Sequence, residues 1–208
     1  MKIGFINGSP KKEGSASGCL LAELKEILKQ PVSEYCIRSR RDTLPDELAE
    51  QDVLVMAMPL YVDGVPSHML SCLTELETLL KGRKITVYAI INCGFFEAAQ
   101  NRWAIAILQN WCQRTGLKWG QAIGVGGGGM MPMLKDIPPG KGPKKNLSRA
   151  LETLAKNILN EQSGETLLVS PNFPRFLYRK AAEMGWRRQI KENGLKAKDL
   201  SARPSGSC

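Results

Sequence analysis

Apolar runs of strand length alternate with apolar positions at helical spacing along most of the chain. "KIGFIN" reads as a short strand. Leu20, Leu21, Leu24, Ile27 and Leu28 follow at helical spacing, with Ser15 or Ser17 placed to cap the helix. "SEYCIR" is a weaker second strand. "DVLVMAMP" is almost continuously apolar and closed by Pro59, as expected of a parallel strand buried on both faces. A helix follows over 67–80, with Met69, Leu70, Leu73, Leu76 and Leu80 on its apolar side. "KITVYAIIN" is the fourth strand, and a helix from Glu97 to Arg114 ends at Gly116, a C′ glycine. "KWGQAIGVGG" is the fifth strand, and 144–160 carries Leu147, Leu151, Leu154, Ile158 and Leu159 as the last helix of the alternation.

Strands separated by helices predict a doubly wound parallel sheet with right-handed crossovers. Ligands in such sheets sit beyond the carboxyl ends of the strands, where the strand order reverses. That rule points to four loops, 8–17, 59–66, 92–97 and 126–133, all unusual in composition. The following "MMPMLKDIPPGKGPKKN" is too long for a simple connection, so it is either functional or mobile. The pattern places one domain over 1–163 and a C-terminal extension over 164–208. In the extension, "SPNFPRFLYRKAAEMGWRRQIKENG" reads as a basic amphipathic helix. Phe173, Phe176, Leu177, Ala181 and Met184 lie on one face, and Trp186 lies near the end. The closing "SARPSGSC" is expected to lack structure.

At 208 residues the chain is long enough for one domain with a real core. No apolar run reaches the ~20 residues of a membrane span, and no signal-peptide pattern precedes the first strand. The expected location is the cytoplasm. Six cysteines (Cys19, Cys36, Cys72, Cys93, Cys112 and Cys208) are widely spaced with no C-x-x-C pair. That excludes zinc or an iron–sulfur cluster held by one compact motif and predicts reduced thiols. The net charge is +9, and the chain from Ser170 onward holds nine basic against three acidic residues. Such a surface suits anionic cofactors, acidic partners or an anionic membrane, and the basic residues match no nucleic-acid reader motif, so no nucleic acid is expected.

The first loop, "NGSPKKEGSAS", looks built around an anion. A Walker A loop is excluded, because five residues separate Gly8 from Gly14 and Ser15-Ala16 stands where Lys-Ser/Thr is required. The dinucleotide fingerprint is absent after the first strand. Its one match, at Gly124, Gly126 and Gly129, follows the fifth strand and opens no clean helix. These glycines read instead as backbone that must approach a flat ligand or turn sharply. What remains is a hydroxyl-rich loop at a helix N-terminus, suited to one terminal phosphate monoester. On this loop alone, serines that merely cap the helix are an equal reading. The second loop adds Tyr61, which can stack on a planar ring, shaped by Pro59, Gly64 and Pro66; the third, "NCGFFE", adds small residues with Phe95 and Phe96.

With "GSPKKEGSAS", "MPLYVDGVPS" and glycine-rich loops after strands four and five, residues 1–160 resemble the flavodoxin-like NAD(P)H-dependent FMN reductase family. The resemblance implies a three-layer α/β sandwich. Its five-stranded parallel sheet has the order 2-1-3-4-5, and the basic C-terminal helix is an addition. It implies FMN as cofactor, with Ser9, Lys11, Ser15, Ala16 and Ser17 around the phosphate. Pro59, Leu60, Tyr61, Val62 and Asp63 would lie along the ribityl chain and ring, and Cys93 and Gly94 on the other side. Ser15-Ala16 replaces the common Asn-Thr, so one phosphate hydroxyl is expected from Ser17. The implied activity takes hydride from NAD(P)H and delivers electrons to a small acceptor such as a flavin or quinone. No acid, base or metal is required. A homodimer is implied, and the basic helix could touch a membrane or a partner subunit. The rival is a flavodoxin-like electron carrier or FMN-binding protein; such carriers are typically acidic, unlike this chain. His68 as a proton donor and Cys93 as a redox thiol remain open at this stage.

Overall fold

A computed structural model describes residues 1–201. In chain order the elements are β1 (Ile3–Asn7), α1 (Ala16–Leu28), β2 (Val32–Cys36), β3 (Val53–Pro59), α2 (Ser67–Leu79), β4 (Thr86–Asn92), α3 (Arg102–Thr115), β5 (Lys118–Val125), α4 (Lys145–Leu159), β6 (Leu167–Val169) and α5 (Arg175–Glu192). The sheet is β2-β1-β3-β4-β5-β6 with every pair parallel. The unbroken apolar runs take the centre. Every residue of β4 is buried, and so is all of β3 up to Met58.

Two cores cover the two faces. Leu54, Met56 and Met58 pack with Met69, Leu73 and Leu76 of α2 and Ile105, Leu108 and Trp111 of α3. Phe5, Val55 and Ile90 pack with Leu20 and Leu24 of α1 and Leu151 and Leu154 of α4. The alternation of inward side chains along each strand thus feeds two helical layers, and the three-layer sandwich follows.

The sheet has six strands rather than five. β6 pairs with Ile123–Val125 of β5 at the edge. Three residues are too few to show a periodicity, and their pairing depends on a neighbour. Gly124 lies so close that an added Cβ would stand 2.6 Å from Leu168 Cδ2. The strand also shifts the boundary expected at 163. The chain's first compact unit runs to Asn172 and the second begins at Phe173. The helix expected from Glu97 opens instead as a 3-10 turn over Ala98–Asn101 before α3 begins.

The second unit is built on α5, where Phe176, Met184 and Trp186 are well exposed. Its apolar residues do not form one stripe. At about 3.6 residues per turn, Lys180, Arg187 and Lys191 share the sector of Phe176 and Met184. Its basic residues divide evenly, with Arg175, Arg179 and Lys180 in the first half and Arg187, Arg188 and Lys191 in the second. Ser201 ends a 3-10 turn begun at Ala197, and the rest of the tail, Cys208 included, lies outside the described residues. Among the described residues no helix is long and apolar enough to cross a membrane.

Candidate functional site

Parallel pairing sets the carboxyl ends of β1, β3, β4 and β5 side by side: Asn7 faces Ala57, Pro59 faces Asn92, and Asn92 faces Val125. The four loops that leave these ends therefore share one rim of the sheet.

The first loop folds on its own polar groups. Asn7 Oδ1 accepts from the Ser9 N–H at 3.0 Å, and the Ser9 hydroxyl oxygen accepts from the Lys11 N–H at 3.4 Å. Ser9 is buried while Lys11 is exposed. Gly14 takes φ +61° just before the helix. Ser15 is the N-cap, its hydroxyl oxygen accepting from the Gly18 N–H at 3.0 Å. Ala16 and Ser17 follow as the first two helical residues. Their N–H groups have no partner among the described residues. Gly8 lets the loop pack down, since a Cβ there would meet Met69 Sδ at 2.6 Å. His68, at the start of α2, lies with Nε2 3.0 Å from the Gly8 carbonyl oxygen. That contact requires the proton on Nε2, so this ring nitrogen is a donor to the loop.

The second loop is a two-residue hairpin. Tyr61 and Gly64 exchange N–H···O bonds at 3.1 and 3.0 Å around Val62 (φ 50°) and Asp63 (φ 56°). Positive φ at both central residues defines a type I′ turn, which favours Asn-Gly, not Val-Asp. Val62 is fully exposed, so it packs against nothing that offsets its left-handed backbone. Val62→Asn is expected to stabilise the fold by about 1 kcal/mol, read as a higher urea midpoint at unchanged slope. The turn holds Tyr61 half exposed beside half-buried Pro59 and Leu60.

In the third loop the Cys93 N–H donates to the Val125 carbonyl at 2.9 Å, and its carbonyl accepts from Gly128 at 2.7 Å. The thiol is turned inward among the Phe95 and Glu97 carbonyls and the Asn101 amide. Burial raises its pKa, so the thiolate is disfavoured there. Burial also pushes Cys72 and Cys112 up to about 12. Gly94 and Phe95 are the exposed residues of this loop, and a Cβ on Gly94 would meet nothing within 4 Å. The fourth loop runs against the third, with Gly127 donating to the Phe95 carbonyl at 2.6 Å.

One residue that the sequence reading passed over joins these loops. Asn92, buried at the end of β4, donates from Nδ2 to the Ser17 hydroxyl oxygen at 2.8 Å and to the Met58 carbonyl at 3.0 Å. Its own carbonyl accepts from Leu60 at 2.7 Å. Its signal in the sequence is faint: a polar side chain closing an apolar central strand, at the end where ligands bind.

The donors present suit a phosphate monoester. Two unpaired N–H groups open α1, a hydroxyl lies beside them, and the helix dipole points the same way. Gly94 leaves open space on the rim, as a flat ring system would need. Among the described residues no cluster of His, Cys, Asp or Glu could hold a metal ion.

No protein-family model matches the chain, and no curated protein matches it by sequence. Solved structures match by fold. An NADH:FMN oxidoreductase (EMOB, apo form) superposes with a TM-score of 0.57 at 15% identity, covering 79% of this chain and 91% of that one. The Fusobacterium nucleatum flavodoxin bound to flavin mononucleotide gives 0.55 at 14%, covering 78% and 99%. An NADPH-quinone reductase from P. pentosaceus gives 0.51 at 15%, covering 76% and 99%. The sheet order, the helical layers and these superpositions together show that the chain has the flavodoxin-like fold.

Proposed function

We propose that the protein is an FMN-dependent oxidoreductase that takes hydride from NAD(P)H and passes the electrons to a small acceptor such as a flavin or quinone. The observation that carries this reading is the opening of α1. Unpaired N–H groups of Ala16 and Ser17, in a helix that Ser15 caps through the Gly18 N–H, lie where the four carboxyl-end loops meet. Fold neighbours described as an NADH:FMN oxidoreductase, an NADPH-quinone reductase and an FMN-bound flavodoxin agree with it.

In this reading the first turn of α1 and the serines of its loop hold the phosphate, with Lys11 near. Pro59 to Asp63 and the Cys93–Gly94 backbone border the ring, with Tyr61 available to stack. FMN supplies hydride acceptance and the later release of electrons, so the protein needs no dedicated acid or base. His68, which donates to Gly8, orients the loop instead. The net charge of +9 favours the approach of anionic nucleotides.

The test is an anaerobic absorbance spectrum of the purified protein with FMN, then with NADPH. The expected result is a bound yellow flavin that bleaches on NADPH addition and recovers with an acceptor. A flavin that binds and stays oxidised with NADPH and NADH would overturn the reductase and identify a carrier. No flavin binding would overturn the cofactor itself.

A further inference from the structure

The Asn92 side chain spans from β4 to the first turn of α1, and the direction of its hydrogen bond has a consequence. The amide has two faces. Its nitrogen must face the Met58 carbonyl at 3.0 Å, because the opposite orientation would set two acceptor oxygens against each other. With Nδ2 so placed, its second N–H donates to the Ser17 hydroxyl oxygen at 2.8 Å. A hydroxyl that accepts from Asn92 cannot donate back to that nitrogen, so its single proton must turn elsewhere. Ser17 is 1% exposed, and no acceptor for that proton exists among the described residues. A buried donor without an acceptor is costly unless a ligand supplies one. Beside it stand the unpaired N–H groups of Ala16 and Ser17.

We propose that Asn92 is a positioning residue for the phosphate of FMN: by donating to Ser17 Oγ it turns the Ser17 hydroxyl proton toward the anion. This rests on the FMN reading above. It adds that a residue on β4, outside the phosphate loop, sets the donor polarity of that loop. Asn92 touches neither the cofactor nor a substrate in this arrangement. Its effect passes entirely through Ser17, and it therefore concerns the phosphate and not the ring.

The test compares FMN with riboflavin, which lacks the phosphate, by fluorescence titration of wild type, Asn92→Ala, Asn92→Asp, Ser17→Ala and the Asn92→Ala/Ser17→Ala pair. Asn92→Asp keeps the shape but can only accept, so the carboxylate captures the Ser17 proton. Thermal midpoints confirm that each variant folds, and Asn92→Asp carries the test if alanine does not. The expected result is FMN binding at least about 10-fold weaker in each Asn92 variant, with riboflavin binding unchanged. The double variant should bind FMN no worse than Ser17→Ala alone, because the two residues act as one unit. Equal weakening of FMN and riboflavin would reduce Asn92 to a loop brace and overturn the inference. Additive losses in the double variant, or FMN binding at the wild-type level in the Asn92 variants, would overturn it too. Wild type that fails to bind FMN overturns the functional reading, and this inference with it.

Discussion

Gly126→Ala is expected to destabilise the protein by about 3 kcal/mol or more and to abolish flavin binding at micromolar FMN. A Cβ at this position would stand 2.2 Å from the Phe96 carbonyl oxygen, and 2.9 Å from both Phe96 C and Ala98 N. All three atoms are backbone, so no rotamer change relieves the clash. Nor can the glycine retreat: its N–H is bonded to the Val169 carbonyl at 2.9 Å, and Gly127 and Gly128 are bonded to Phe95 and Cys93. The third loop must therefore move, and with it Gly94 on the rim. Gly129→Ala is the control, since a Cβ there meets nothing within 4 Å. It should leave the unfolding free energy, read from urea denaturation, within about 0.5 kcal/mol of wild type. If the two alanine variants unfold alike, the close packing of the third and fourth loops is wrong.

Those glycines also show how far the sequence could be read. Gly124, Gly126 and Gly129 stood out as permissive backbone, and the requirement is real at the first two. What the spacing could not show is the neighbour. Leu168 approaches Gly124 and the Phe96 carbonyl approaches Gly126, so the demand comes from chain remote in sequence and not from a ligand. The central strands were legible because burial on both faces leaves an unbroken apolar run. β6 was not, because three residues at an edge carry no period. Ser15 and Ser17 looked interchangeable as caps; only the helix start separates them, into a cap bonded to Gly18 and a buried hydroxyl held by Asn92. Asn92 left only a faint signal for the same reason: its role lies in partners 34 and 75 residues away. The hairpin at Val62 ran against the sequence outright, since Val-Asp is poor type I′ chemistry.

Glu23→Ala is expected to cost about 3 kcal/mol, read from chemical denaturation. The reason lies at the end of the long segment between β5 and α4. Lys144, immediately before α4, has a side chain only 3% exposed, and its Nζ lies 2.6 Å from Glu23 Oε1 in the second turn of α1. Burying an ammonium is unfavourable unless a counter-charge sits beside it. Removing the carboxylate leaves that charge in the interior without its partner, which is worse than never having had the pair. Two comparisons separate this from simple lost packing. Glu23→Gln keeps the shape and one acceptor, and should lose less than alanine. Glu23→Leu with Lys144→Met replaces both charges by apolar groups of similar size and should recover most of the loss. The pair also ties the long loop after β5 to the helix whose N-terminus forms the proposed phosphate cradle. Glu23→Ala should therefore weaken FMN binding although Glu23 lies about two turns from that end of α1, whereas the apolar double variant should bind FMN nearly as wild type does. A double variant as unstable as Glu23→Ala would show that the ion pair, and not the volume it fills, holds α4 against α1.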